Sequence, residues 1–164
     1  MNLVDGDRVH VRYVRNVLEE FMPTTEDLDY AREFDIVYSE RQSKFYLYAD
    51  KVKHDGNTTV HDFTFRLEDE LTDQILPHID YAFFSYKGED DYIKEFLPKA
   101  QAKGPKAVIA MLGPDGSMAY DGEEFQRVHA RPAEIVNTVG AGDSYIAGFT
   151  YGLMQRDGIR DCME

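Results

Sequence analysis

Near the end of the chain, the string NTVGAGDSYIAGF (Asn137–Phe149) sets two glycines, an alanine and an aspartate directly before a run of small and apolar residues. The run predicts a helix whose first turn begins at the glycines. The first N–H groups of a helix have no carbonyl partners within it, and the helix dipole is positive there. Gly140 and Gly142 let that backbone wrap an anion without interference from a Cβ. The N–H groups of Ala141, Gly142 and Asp143 are therefore a candidate anion cradle. An anion site alone gains nothing from Asp143, because a carboxylate repels phosphate. Asp143 makes sense as the group that accepts the proton of an attacking hydroxyl while the N–H groups stabilise charge on a transferring phosphoryl. The chemistry implied is phosphoryl transfer to an alcohol. The same residues also read as an ordinary turn and helix cap, and local chemistry alone leaves both open.

Such a loop has to be held at the edge of a framework, and the pattern of the chain supplies one. Arg8–Val14 alternates polar and apolar residues, as a half-buried strand does. TTEDLDYAREF opens with a capping candidate, Thr24 or Thr25, followed by acids suited to a first helical turn. Asp35–Ser39 reads as a buried strand, Arg41–Val52 as helix, and Thr58–Phe65 as strand. Leu67–Leu76 places Leu67, Leu71 and Ile75 on one helical face, and Tyr81–Ser85 is again a strand. EDDYIKEFLPKAQAK is a helix stopped by Gly104 and Pro105, with a kink expected at Pro98. Lys106–Leu112 is the clearest buried strand. Two short strands follow, SMAYD and EFQRVHA, joined at Asp121-Gly122. In the last helix the small residues Ala147, Gly148 and Gly152 predict close packing on the sheet. The alternation predicts an α/β fold, a mainly parallel sheet covered by helices, with a small antiparallel portion before the glycine loop.

Composition narrows the partners. The chain has 164 residues and a net charge of −13. That length suits one domain. The charge argues against nucleic acid and against an anionic membrane surface, which both need clustered Lys and Arg. The single cysteine, Cys162, cannot form an internal disulfide, which fits a reducing, cytoplasmic setting. The start of the sequence is too polar for a signal peptide, no run is long enough to span a bilayer, and Asn57-Thr58-Thr59 reads as a loop. The five histidines show no metal-ligand spacing. No Gly-x-Gly-x-x-Gly follows a strand, and there is no Gly-x-x-x-x-Gly-Lys-Ser/Thr, so a dinucleotide module or a P-loop finds little support.

NTVGAGDSYIAGF resembles the carboxyl-terminal signature of the ribokinase-like (PfkB) carbohydrate kinases, Asp-Thr-x-Gly-Ala-Gly-Asp followed by small and apolar residues. Asn137 stands where many members have Asp. The resemblance implies a three-layer α/β/α ribokinase-like fold, ATP and Mg2+ as cofactors, Asp143 as the catalytic base, and Gly140, Ala141 and Gly142 as the anion hole. MLGPDGSMAYDG looks like the strand and hairpin that precede the signature, which would put Gly113 and Gly116, with Thr138, against the nucleotide. HDFTFR looks like the family's Asp-x-Asn-x-Arg strand end, with Asp62 and Arg66 matching and Thr64 in place of Asn. Glu89 falls where the family has Asn-x-x-Glu, a motif tied to the magnesium–water shell, but Tyr86 replaces the Asn. By that likeness Asp62, Arg66 and Glu89 form the magnesium and phosphate neighbourhood, with no residue ligating metal directly.

The texture from about Asp5 onward is most similar to the fructoselysine and fructosamine kinase branch, which implies a sugar or sugar–amine substrate. Against the family pattern the chain is expected to be one partial kinase domain, with 1–20 a remnant of lid strands and 21–164 the nucleotide-side core. The front strands and the sugar site are missing from that pattern. A non-catalytic, self-associating relic is the alternative. In either case an open sheet edge, or the Arg8–Val14 strand, predicts a homodimer.

Overall fold

The computed structural model describes the backbone of residues 2–4, 7–9 and 17–164, and the side chains of 17 and 20–164. A short antiparallel pair, β1 (Asn2–Val4) and β2 (Asp7–Val9), precedes helices α1 (Val17–Glu20) and α2 (Thr25–Ala31). Of the strand expected over Arg8–Val14, Arg8 and Val9 lie in β2, and residues 10–14 are outside the described residues. Thr24 caps α2: its hydroxyl accepts from Asp27 N at 3.2 Å, and the Asp27 carboxylate accepts from Thr24 N at 2.8 Å. This reciprocal box satisfies two backbone donors of the first turn.

A six-stranded sheet organises the rest. Its order is β3 (Ile36–Glu40), β4 (Thr58–Asp62), β5 (Tyr81–Ser85), β6 (Ala107–Met111), β7 (Ser117–Tyr120) and β8 (Phe125–Val128). β3 to β6 are parallel, and β7 and β8 add antiparallel. Between them run α3 (Ala49–Val52), α4 (Glu70–Ile75) and α5 (Asp91–Gln101), and after them α6 (Ala141–Gln155) and α7 (Ile159–Met163). Side chains alternate across the sheet with the two-residue period of a strand. Ala82, Phe84, Val108 and Ala110 pack with Ile93 and Leu97 of α5 on one face, and Phe83 and Ile109 pack with Ile146 and Phe149 of α6 on the other. The architecture is the expected three-layer α/β/α.

Buried Asp80 ties the start of the parallel strands together. Its carboxylate accepts from Thr59 N at 2.9 Å and meets Lys53 Nζ at 2.7 Å and Lys106 Nζ at 3.2 Å. Burial pushes the carboxyl up, but the hydrogen bonds from Lys53 and Thr59 outweigh it and hold the group below the ordinary carboxylate range.

Several expected elements are corrected. β3 is not buried on both faces: it is the sheet edge, and Tyr38 in its middle is 43% exposed. The helix expected over Arg41–Val52 is a turn, a 3-10 stretch (Phe45–Tyr48) and then α3, because Lys44 takes a left-handed conformation that interrupts it. β4 stops at Asp62, not Phe65, because Thr64 turns left-handed with φ 56°. Helix α4 begins only at Glu70, capped by Asp69. In α6, Ala147 and Gly148 face outward and pack on nothing in the sheet. Gly152 alone makes the close approach, and it does so against α7: a Cβ there would stand 2.8 Å from Cys162 Sγ.

Two features have measurable consequences. His61 is fully buried between Tyr46 and Phe63, with Nδ1 2.8 Å from Ser39 Oγ and Nε2 without a hydrogen-bond partner. Burial, reinforced by the Arg41 charge, pushes its pKa down from an ordinary 6.5 to about 3. Between those values the unfolded chain binds a proton that the folded chain refuses, so stability falls as the pH drops through that window. The contribution is about 1.4 kcal/mol per pH unit. His61→Phe is expected to flatten the slope of stability against pH between about pH 6 and 4, measured by denaturant unfolding. Thr64 is a β-branched residue in the left-handed region. Thr64→Asn should raise unfolding stability by about 1 kcal/mol, and an unchanged or lower midpoint would show that the turn is not strained.

Candidate active site

The glycine loop sits where the sequence places it, at the amino end of α6. Gly140 is the N-cap, with φ 78°, a conformation that a residue bearing Cβ adopts only under strain. Asn137 starts the turn: its side-chain oxygen accepts from Val139 N at 2.8 Å. Ala141 N donates to Thr138 O at 3.2 Å, and Ser144 N to Gly140 O at 2.9 Å. Of the three expected cradle donors, the Ala141 N–H is therefore used inside the turn. The N–H groups of Gly142 and Asp143, in the first helical turn, have no helical carbonyl to bond.

The loop faces a cavity of about 560 Å³. Ala141 and Gly142 form one side of it. Gly113 and Gly116, from the turn after β6, form another, together with Met111 at the end of that strand. Gly116 has φ 94°, and a Cβ there would lie 2.2 Å from Val128 O, so only glycine lets the turn close against β8. Tyr145 OH reaches Ser117 Oγ at 2.8 Å and fastens α6 to β7 across this gap. Burial pushes its phenol up to about 12, so it stays protonated as a donor. The four residues that sequence reading assigned to the anion and nucleotide sides, Gly113, Gly116, Ala141 and Gly142, thus line one space, and Thr138 supplies the carbonyl that shapes its loop.

Asp143 points to a second, mostly apolar groove of about 340 Å³, shared with Tyr38, Ile146, Ala147 and Met154. Burial and the charges of Asp62, Asp143 and Glu40 together push the Tyr38 hydroxyl up. Of these acids, Asp143 of α6 shares the groove with Tyr38. Sequence reading missed Tyr38. It lies in a strand that reads only as structural, and only the register of β3 against β4 brings it there. Asp62 is buried, and its Oδ1 accepts from Thr64 N at 2.7 Å.

The other expected residues fall elsewhere. Arg66 is exposed and lines a separate cleft of about 490 Å³ with Phe65, Glu68, Tyr86 and Tyr92. Glu89 is paired with Lys94 at 2.7 Å and with Arg127 at 2.8 Å. Those two hydrogen bonds hold its carboxyl below the ordinary range. Among the described residues no group of three or more His, Cys, Asp or Glu is placed to hold a metal ion. Tyr86, in the place of the family's Asn, donates to Asp90 at 2.9 Å. Arg127, Arg131 and Arg160 also line the glycine cavity, and sequence reading did not single them out. They come from β8, the loop beyond it and α7, and nothing in their spacing announces that they meet.

Comparison with known proteins gives the chain a family and a fold. Residues 19–164 match the pfkB family of carbohydrate kinases. A fructoselysine 6-kinase from Escherichia coli is 34% identical over 152 residues, covering 93% of this chain and 58% of that protein. A fructosamine kinase from Bacillus subtilis is 34% identical over 89 residues, covering 54% of this chain and 31% of its own length. Among solved structures, Arabidopsis thaliana ribokinase complexed with ribose and ATP superposes with a TM-score of 0.71 at 23% identity, covering 85% of this chain and 49% of that one. A microbiome-derived acarbose kinase gives 0.75 at 20% identity, covering 94% and 53%. The chain spans little more than half the length of the first of these curated relatives, and about half that of the solved structures. With the sheet order, the glycine cavity and these matches in agreement, the chain belongs to the pfkB family of carbohydrate kinases.

Proposed function

We propose that the chain forms the nucleotide-side portion of an ATP-dependent kinase acting on a hydroxyl of a sugar, or of a sugar–amine adduct of the fructosamine type. The observation that carries this reading is the meeting of Gly113 and Gly116 with Ala141 and Gly142 around one cavity, at the start of the helix that bears Asp143. The acceptor hydroxyl attacks the γ-phosphorus, the bond to the bridging oxygen breaks, and ADP leaves. Asp143 takes the hydroxyl proton, and the N–H groups at the start of α6 stabilise the charge on the phosphoryl oxygens. Mg2+ would arrive on the nucleotide's phosphates, which supply several of its oxygen ligands. Similarity to the E. coli fructoselysine 6-kinase supports the fructosamine-type acceptor. Residues 21–164 act as the nucleotide-side core, the β1–β2 pair as what remains of a lid, with Val17–Glu20 a helix where lid strand was expected, and an ATP-dependent enzyme with a lone cysteine suits the cytoplasm.

Asp143→Asn tests the role. Phosphorylation across a panel of ketoses, ribose and fructosamines should fall by about 100- to 10,000-fold, while calorimetry shows MgATP affinity largely intact. Wild-type turnover in this variant, activity confined to nucleosides, or tighter binding of NAD than of ADP would each reject the reading.

A second reading, a non-catalytic domain that self-associates, is favoured by one observation. Among the described residues strand β3 is an edge with no strand beyond it, and beside it Tyr38, Tyr151 and Met154 stand exposed around an apolar groove. An open edge next to an apolar patch is a template for contact between chains. Both readings predict a homodimer through this edge, since the net charge of −13 opposes indiscriminate aggregation. Size exclusion with light scattering should give a dimer at micromolar concentration, and a well-folded monomer with one cooperative thermal transition would contradict it. Absence of any nucleotide binding would favour the non-catalytic reading.

A further inference from the structure

Building on the nucleotide reading, which this assignment deepens, we infer that Arg127 is the side chain that grips a ligand's phosphate in the glycine cavity, with Glu89 as its positioning counter-ion. The chain carries a net charge of −13, yet Arg127, Arg131 and Arg160 all line this one cavity. A local cluster of cations against a strongly acidic background favours anionic ligands there and nowhere nearby.

The three arginines are not equivalent. Arg131 is exposed, and Arg160, also exposed, donates from Nη1 to Arg127 O at 3.2 Å and lies 3.6 Å from Glu164. Arg127 is the most buried and the most fully bonded of them, with its side chain 22% exposed. Its Nη1 donates to Ser117 O at 3.0 Å and to Val128 O at 2.9 Å, and its Nε donates to Glu89 Oε2 at 2.8 Å. A guanidinium held by Nε and Nη1 loses little freedom when it binds phosphate, and its two remaining N–H donors, both on Nη2, are the ones left for a phosphate oxygen. Its neighbour Ser117 is the residue that Tyr145 of α6 bonds, so the cation and the glycine loop hang from the same strand.

Glu89 has a different task from the one its motif suggests. Its two nearest partners are cations, Lys94 and Arg127. A hard divalent ion would have to displace both, and it seeks several oxygens where this site offers one committed carboxylate. What Glu89 does in this arrangement is fix the Nε edge of Arg127.

Calorimetry with ADP and with adenosine, each in EDTA and in excess Mg2+, separates the possibilities. Arg127→Met should weaken ADP by roughly tenfold or more in both buffers and leave adenosine unchanged. Glu89→Ala should weaken ADP a few-fold, equally with and without Mg2+, and add nothing in the Arg127→Met background. Glu89→Gln keeps an acceptor for Nε and should bind ADP at least as tightly as the wild type. The assignment is overturned if Arg127→Met weakens adenosine as much as ADP, or if Glu89→Gln loses affinity only in Mg2+. If Arg127→Met leaves ADP affinity unchanged, this assignment fails and the nucleotide reading stands. If the wild-type chain binds neither ADP nor adenosine, both fall together.

Discussion

The arrangement depends on the buried carboxylate of Asp80. Its own N–H donates to Thr59 O, its carbonyl accepts from the N–H groups of Lys106 and Ala107, and its side chain accepts from Thr59 N. One residue thereby sets β4, β5 and β6 level at their amino ends. Parallel strands started in register also finish in register, and in a sheet of this kind ligands gather at the carboxyl ends. Asp62, Tyr86 and the Met111–Gly116 turn emerge there. The lysines that neutralise Asp80 matter for the same reason. An unpaired carboxylate at this depth would be strongly destabilising, whereas the present one is saturated.

Above that base, the two faces of the sheet do different jobs. The face under α5 is packed with aliphatic and aromatic side chains and carries no chemistry of its own. The face under α6 and α7 is sparer, and the helices on it present their ends and edges to the cavities. β7 and β8 turn back antiparallel and bring Gly116, Ser117 and Arg127 to the start of α6. The antiparallel return is what lets a loop after β6 and a loop after β8 face one another.

Much of this was legible in the sequence because it is carried by local rules. The short apolar runs at Tyr81–Ser85 and Lys106–Leu112, the turn chemistry of Gly140 and the cap at Thr24 are each read within a few neighbours. The glycine loop is a backbone feature, so its position and its chemistry come together. The illegible parts are those made by distance in sequence. Tyr38 and Asp143 are over a hundred residues apart, and Glu89 and Arg127 are 38 apart. Neither pairing has a periodic signature. The breaks at Lys44 and Thr64 were missed because they contradict propensity: neither residue type advertises a left-handed turn. Helix α7 is too short, at five residues, to show a repeating face.

The close approach of Gly152 to Cys162 reaches further than packing. Helix α7 carries Arg160 and Met163, with Glu164 just beyond it, into the wall of the glycine cavity, and the gap between α7 and α6 is set where a methyl group is missing. The width of the mouth is therefore governed by a position that never touches its contents. Enlarging residue 152 would act as a shim, swinging that wall outward while every residue that lines it stayed the same.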